Sequence, residues 1–295
     1  MVGKSAIKPS NRKIYLYLLP GLAIYAFVVL IPLLMAVRYS FYDWSGGPNL
    51  TFVGVDNFRE LLRDQVFWTS FGNNVFIIIM SVIGQVGIAF FISVLLTRSW
   101  VKFKQFHRTV LFIPTVLAAV IIGFLWSMVY NQNYGLLNFV LKAVGLEGWV
   151  LPWLDDPDIV MGAVTIPLIW QFIGFYMIIF MAAMQNIPDE LYEAAEIDGA
   201  SSWKQTLYIT LPMLKNTFKV AIMLCIAGNM KVFDHIFVMT GGGPGNSSTV
   251  MAQYAYDVSF ERFELGYGSA VSIGMLVLSL LLIGISQWIG RRGEE

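Results

Sequence analysis

Apolar and charged positions in this chain separate on the scale of whole helices rather than of single turns. A bilayer-spanning helix takes about 20 mostly apolar residues. Five stretches exceed that without a single charge: Ile14–Val37, Gln65–Thr97, Thr109–Leu141, Ile159–Pro188 and Leu265–Gly290. A sixth, Thr217–Thr240, is apolar but holds Lys219, Lys231 and Asp234. Trimmed of loop residues, the pattern predicts six membrane helices at 14–37, 73–97, 109–130, 159–185, 217–239 and 268–289. The expected fold class is all-α and polytopic, and no internal repeat stands out.

Composition removes the competing classes. Apolar residues make up 57% of the chain and charged ones 13%, against about 25% charged in soluble domains. A water-soluble globule cannot cover that much apolar surface, and a disordered chain needs the opposite balance. Nineteen basic and nineteen acidic residues cancel, leaving no basic excess for nucleic-acid phosphates. The one cysteine, Cys225, excludes an intrachain disulfide and reads as a small packing residue.

Sidedness comes from lysine and arginine. The segments 1–13, 98–108, 186–216 and 291–295 hold twelve of them, whereas the other side holds five: Arg38, Arg59, Arg63, Lys142 and Arg262. The excess marks the cytoplasmic side, so both termini are expected inside the cell membrane. The first apolar run, at 24 residues, is longer than the roughly 7–15 of a signal-peptide core and is expected to remain as a span. On the outer side, Gly46-Gly47-Pro48-Asn49 signals a turn and 57–62 a short amphipathic helix. Trp44, Trp68, Trp149 and Trp153 suit an interfacial belt.

The cytoplasmic loop 186–216 breaks the charge rule. Asp189, Glu190, Glu193, Glu196 and Asp198 fall within ten residues on the side where basic residues collect. Pro188 and the first acids suit a helix N-terminus, and Gly199 its C-terminal stop. A second short helix is expected from Ser201 through Trp203, Leu207 and Leu211 to the breaker Pro212. An acidic surface of this kind does not suit an anionic inner leaflet and fits a basic groove on a protein, although a solvated acidic loop explains the charge equally well.

The string Glu193-Ala194-Ala195-Glu196-Ile197-Asp198-Gly199-Ala200, followed by Trp203, Ile209, Leu211 and Pro212, resembles the EAA loop of permease subunits of binding-protein-dependent ABC importers. In that family the loop also follows the fourth of six core spans. Thr206 and Asn216 depart from residues common there, Phe and a second Pro. The resemblance implies a permease domain at 14–290, flanked by cytoplasmic segments 1–13 and 291–295. It implies that Glu193, Ala194, Ala195, Asp198, Gly199 and Ala200 couple to an ATPase subunit, with Glu193 meeting a cationic side chain. Partners implied are a second, non-identical permease, two ATPase subunits and an extracytoplasmic sugar-binding protein. ATP and Mg would sit on the ATPases, with no cofactor on this chain.

Span five is the most polar. Asn229, Lys231, Asp234 and His235 cluster before Thr240-Gly241-Gly242-Gly243-Pro244, and ionisable residues inside a membrane are functional suspects. Lys231 and Asp234, three apart on one helical face, are expected either to pair or to line a path. The run Phe233–Pro244 resembles carbohydrate-importing members of the same family. So do Leu19-Pro20-Gly21 through Ile31-Pro32, Ser40–Trp44 and Val53–Phe58, all pointing to the maltose and glycerol-phosphate type. That resemblance makes Asn229 the leading substrate-path residue, with Val232 and Phe233 behind it; span four offers Gln171 and Tyr176 as further polar possibilities. A di- or oligosaccharide is the expected substrate. A sugar phosphate, a sugar acid, or an ion-coupled transporter without ATPase partners are the alternatives.

Catalytic motifs fail. Gly3-Lys4-Ser5 lacks the earlier glycine of a phosphate-binding loop, His-Glu-x-x-His is absent, and His107 sits among basic loop residues. The chain is not expected to be an enzyme.

Overall fold

The computed structural model describes residues 11–97 and 101–292. Lys4, Lys8, Arg98, the Gly3-Lys4-Ser5 run and residues 293–295 lie outside the described residues. Four helices are long and apolar enough to cross a membrane: α1 (Tyr15–Tyr39), α3 (Gln65–Thr97), α7 (Val160–Met184) and α13 (Leu265–Gly290 of a helix that continues to Arg292). Two further bent pairs meet the same test, α4 (Lys104–Val116) with α5 (Ala119–Val129) and α9 (Ser202–Met213) with α10 (Lys215–Met230), the bends being 99° and 68°.

Shorter elements connect them. A hairpin of β1 (Tyr42–Trp44) and β2 (Leu50–Phe52) pairs Tyr42 with Phe52 and Trp44 with Leu50, and α2 (Asp56–Arg63) follows it. The buried Asn57 amide holds the hairpin base by donating to the carbonyls of Ser40 and Tyr42 at 2.9 and 3.0 Å. The remaining short helices are α6 (Leu136–Ala143), α8 (Asp189–Ile197), α11 (Asp234–Met239) and α12 (Met251–Tyr256).

The predicted span 159–185 corresponds to α7, and 73–97 to an α3 that begins eight residues earlier. Asp64 sets that earlier start by accepting from the N–H groups of Val66 and Phe67 at 2.8 and 3.3 Å, a side-chain cap for two otherwise orphaned donors.

The span predicted at 109–130 is not one straight helix. Leu117 and Ala118 are extended (ψ 145° and 137°), and Pro114, which has no N–H to give, stands just before the break. The polar groups at the break find partners on α7. Gln171 Nε2 donates to the Leu117 carbonyl at 3.0 Å, and Thr115 Oγ1 donates to the Gln171 carbonyl at 2.7 Å. Close approach makes this possible, because a Cβ on Gly174 would lie 2.2 Å from the Leu111 carbonyl oxygen.

The span predicted at 217–239 is also interrupted. Helix α10 stops at Met230, Lys231 and Phe233 leave helical geometry, and α11 restarts at Asp234. Around these breaks three apolar clusters form the interior. Phe180, Met177 and Cys225 centre one, Phe67, Met230 and Met251 another, and Ile77, Leu168 and Ile236 the third.

The glycine-rich loop after α11 is clamped onto α3. Gly242 takes a left-handed φ of +88°, and any Cβ there would lie 2.6 Å from Thr249 Oγ1. Asn73 Nδ2 donates to the carbonyls of Ser247 and Thr249 at 3.0 and 2.8 Å. Buried Asn74 bridges two elements, with Nδ2 on the Asn229 carbonyl at 2.9 Å and Oδ1 accepting from the Met251 N–H at 2.8 Å.

Candidate functional site

Two places bring together the residues singled out by sequence. The first is the acidic segment after α7. Asp189 and Glu190 occupy the first turn of α8, where their charge suits the positive end of the helix. At the other end Gly199 has φ +75°, its N–H bonds the Glu196 carbonyl at 3.0 Å, and the Ala200 N–H reaches the Ala195 carbonyl at 2.8 Å. This is a Schellman closure, in which a left-handed residue satisfies the last carbonyls of a helix. Ser201 then caps α9 through Lys204. Tyr192 Oη and Thr210 Oγ1, 2.9 Å apart, tie the two helices together.

Glu193, Ala194, Asp198 and Gly199 are exposed, and Ala195 and Ala200 half-buried. Among the described residues none of the five carboxylates has a salt-bridge partner. The structure adds an apolar component that sequence reasoning missed, with Ile197 87% exposed beside the acids and Tyr208 77% and Trp203 58% exposed on α9. Ile197, set between Glu196 and Asp198 just before the Gly199 stop, was the available signal.

The second place is a cavity of about 530 Å³ where α10 breaks. Phe172, Phe175 and Tyr176 of α7 face Asn229, Lys231, Val232, Phe233 and Asp234 across it. Lys231 and Asp234 are exposed and, among the described residues, form no ion pair. The single helical face expected to align them does not exist, because the chain turns between them. Phe233 is half-buried and stacks on Phe237 at 5.0 Å, while Val232 is buried in the interior.

Asn229 borders the cavity, but its amide is engaged within the protein. Nδ2 donates to the Cys225 carbonyl at 2.8 Å, and Oδ1 accepts from Ser81 Oγ at 3.3 Å. Buried His235 donates from Nε2 to Gln171 Oε1 at 2.7 Å, so Gln171 ties α11 to the α4–α5 break. The sequence offered no way to choose Phe172 and Phe175 from 44 aromatic residues; only their placement selects them.

At the far end of α3, Asp64 accepts from the hydroxyls of Tyr254 and, at 2.6 Å, Tyr267. Partial burial alone would raise its carboxyl. The bonds from both tyrosines and from the N–H groups of Phe67 and Val66 outweigh that and hold it below the ordinary aspartate value.

Residues 10–294 match the family described as "Binding-protein-dependent transport system inner membrane component". The "Probable ABC transporter permease protein YurN" of Bacillus subtilis (strain 168) is 35% identical over 297 residues, covering 100% of both chains. The "Trehalose/maltose transport system permease protein MalF" of Thermococcus litoralis is 32% identical, with 97% of each chain covered. A chain from the crystal structure of a bacterial ABC transporter involved in import of the acidic polysaccharide alginate superposes with a TM-score of 0.83 over 96% of both chains, at 22% identity. That likeness shows a shared fold. The breaks, the acidic loop and the glycine-rich turn therefore sit in a chain that belongs to the binding-protein-dependent transport system inner membrane components, the permease subunits of ABC transporters.

Proposed function

We propose that this permease imports a di- or oligosaccharide and forms half of its translocation path. Each bent helix pair counts as one span, giving six spans with both termini cytoplasmic. The observation that carries the coupling role is the exposed, unpaired acidic face of α8, separated by the length of α7 from the opposite membrane face. Glu193 makes a charge-assisted contact with a basic cleft on an ATPase subunit. Ala194 and Ala195 let the helix approach closely, and Gly199 holds the turn that presents it. ATP and Mg belong to the two ATPase partners, and this chain performs no covalent chemistry.

The cavity at the α10 break supplies the sugar path. Aromatic faces such as Phe172 and Phe175 suit the apolar faces of sugar rings, and Lys231 and Asp234 offer charged hydrogen-bonding groups to hydroxyls. Relatives named for trehalose and maltose, lactose and diacetylchitobiose transport support a carbohydrate. A second permease completes the path, and an extracytoplasmic sugar-binding protein delivers the substrate. Alternating access follows when closure of the ATPase pair moves α8 of each permease.

An acidic sugar is the second reading, favoured by the unpaired Lys231 in the cavity. The coupling reading is tested with Glu193→Lys and Gly199→Asp in cells carrying the whole transporter. Both variants should insert normally and lose uptake, together with co-purification of the ATPase. Wild-type uptake by both would sink the assignment.

A further inference from the structure

A groove of about 630 Å³ lies between α4 and the last turns of α7, apart from the cavity at the α10 break. The two helices run antiparallel there, since Gln171 meets Thr115 and Gly174 meets Leu111. That register gathers Gln105, Arg108 and Gln185 at one end of the groove and leaves Ile113, Val116 and Leu117 toward the other. The polar end coincides with the edge of the charge-free run that begins at Thr109. It therefore sits at the depth where a bilayer passes from hydrocarbon to headgroups.

Arg108 is the unusual member. Its Nε is buried and has no hydrogen-bond partner, and among the described residues no carboxylate pairs with it. Neither α4 nor α7 carries an acidic residue. A half-buried guanidinium whose Nε is shielded from water without a partner carries a desolvation cost that a nearby anion would offset. The groove beyond it is apolar and open, with Val116 73% and Ile113 52% exposed. From Gln105 to Val116 the helix rises about 16 Å, close to the roughly 15 Å depth of one leaflet's hydrocarbon.

We propose that this groove is a binding site for one anionic phospholipid. The phosphate lies on Arg108, with Gln105 and Gln185 as neutral donors beside it, and one acyl chain runs along Ile113 and Val116 to Leu117. Basic pockets between membrane helices at the interface take such headgroups. Exposed Lys102 on the same stretch adds to the local positive field. The site is independent of the sugar assignment, because it uses no residue of the cavity or of α8.

The test uses the full-length chain in nanodiscs of phosphatidylglycerol and phosphatidylcholine in equal amounts, released for native mass spectrometry. Wild-type protein should retain phosphatidylglycerol over phosphatidylcholine by about fivefold, the value for one basic side chain at a membrane surface. Arg108→Gln should bring that ratio near one, while Arg108→Lys and the groove-external Lys102→Gln should keep most of it. Ala182→Phe, which fills the groove without touching a charge, should lower retention of both lipids. Equal retention by the wild type, or an unchanged ratio in Arg108→Gln, would overturn the proposal. So would displacement of the lipid by inorganic phosphate alone, which marks a simple anion site. A photo-crosslinker at Ile113 in the assembled transporter should label lipid; a protein adduct in its place would assign the groove to a subunit interface.

Discussion

Replacing Gly174 by alanine tests the packing on which the α4–α5 break depends. The new Cβ would lie 2.2 Å from the Leu111 carbonyl oxygen and 2.7 Å from Phe112 Cα. Both are backbone atoms, so no side-chain rotation relieves the contact. Ordinary van der Waals separation begins near 3.4 Å, so α4 must retreat by about 1.2 Å, the difference of those two values. A shift of that size stretches the 2.7 Å bond from Thr115 to the Gln171 carbonyl and the 3.0 Å bond from Gln171 to the Leu117 carbonyl beyond useful length.

Overpacking costs about 1–3 kcal/mol, and each interhelical hydrogen bond in a membrane protein contributes about 0.6 kcal/mol. Together they predict a loss of about 2–4 kcal/mol. Reversible unfolding in mixed micelles measures it, with uptake followed in parallel because the displaced break borders the cavity. Gly162→Ala is the internal control. It lies on the same helix with nothing within 4 Å of the added Cβ, so it should be neutral or stabilising by up to about 1 kcal/mol. Equal behaviour of the two variants would refute the close-approach argument.

Other outcomes follow from the same geometry. Gln171→Leu strands the Leu117 carbonyl and the His235 N–H, each at about 1–3 kcal/mol, and should lower the Tm in detergent; an unchanged Tm would count against the hub. Asp64 has a carboxyl held below its ordinary value, so its contribution is complete above about pH 4 and disappears as pH falls through the depressed folded value. Asp64→Asn should flatten that acid limb of the stability profile, measured by unfolding from pH 6 downward at about half-unit steps. Lys231→Gln separates the substrate readings. It should raise KM for an acidic sugar about tenfold, the worth of a charged hydrogen bond, and for a neutral disaccharide by less, because the Gln amide still donates to a hydroxyl.

Much of this chain was legible because its signals are local. The apolar run 159–185 became α7, Val160–Met184, since length and charge suffice to place an uninterrupted span. The α8 turn was legible for the same reason, as Pro188, the early acids and Gly199 each act on the backbone next to them. Direction was harder to read than existence. The apolar pattern continues across Leu117–Ala118 and across Lys231–Phe233, so counting hydrophobicity runs straight through two sharp breaks. Pro114 was the sign of the first. At the second, the spacing of Lys231 and Asp234 put them on one helical face, to pair or to line a path, whereas they flank the point where the helix ends. The aromatic wall of the cavity was hidden by abundance, and the hydrogen bonds of Asn229 depend on partners 148 and 155 positions away.

The Asn74 bridge gives the molecule a mechanical property. One side chain grips the carbonyl of Asn229 beside the α10 break and the N–H of Met251 just past the glycine-rich loop, while Asn73 fastens that loop at two further points. The loop, the N-terminal half of α3 and the rim of the cavity are thus strapped together. Force applied to the loop arrives at the rim without slack, as through a tie rod. Movement of the loop and movement of the cavity rim are therefore one movement.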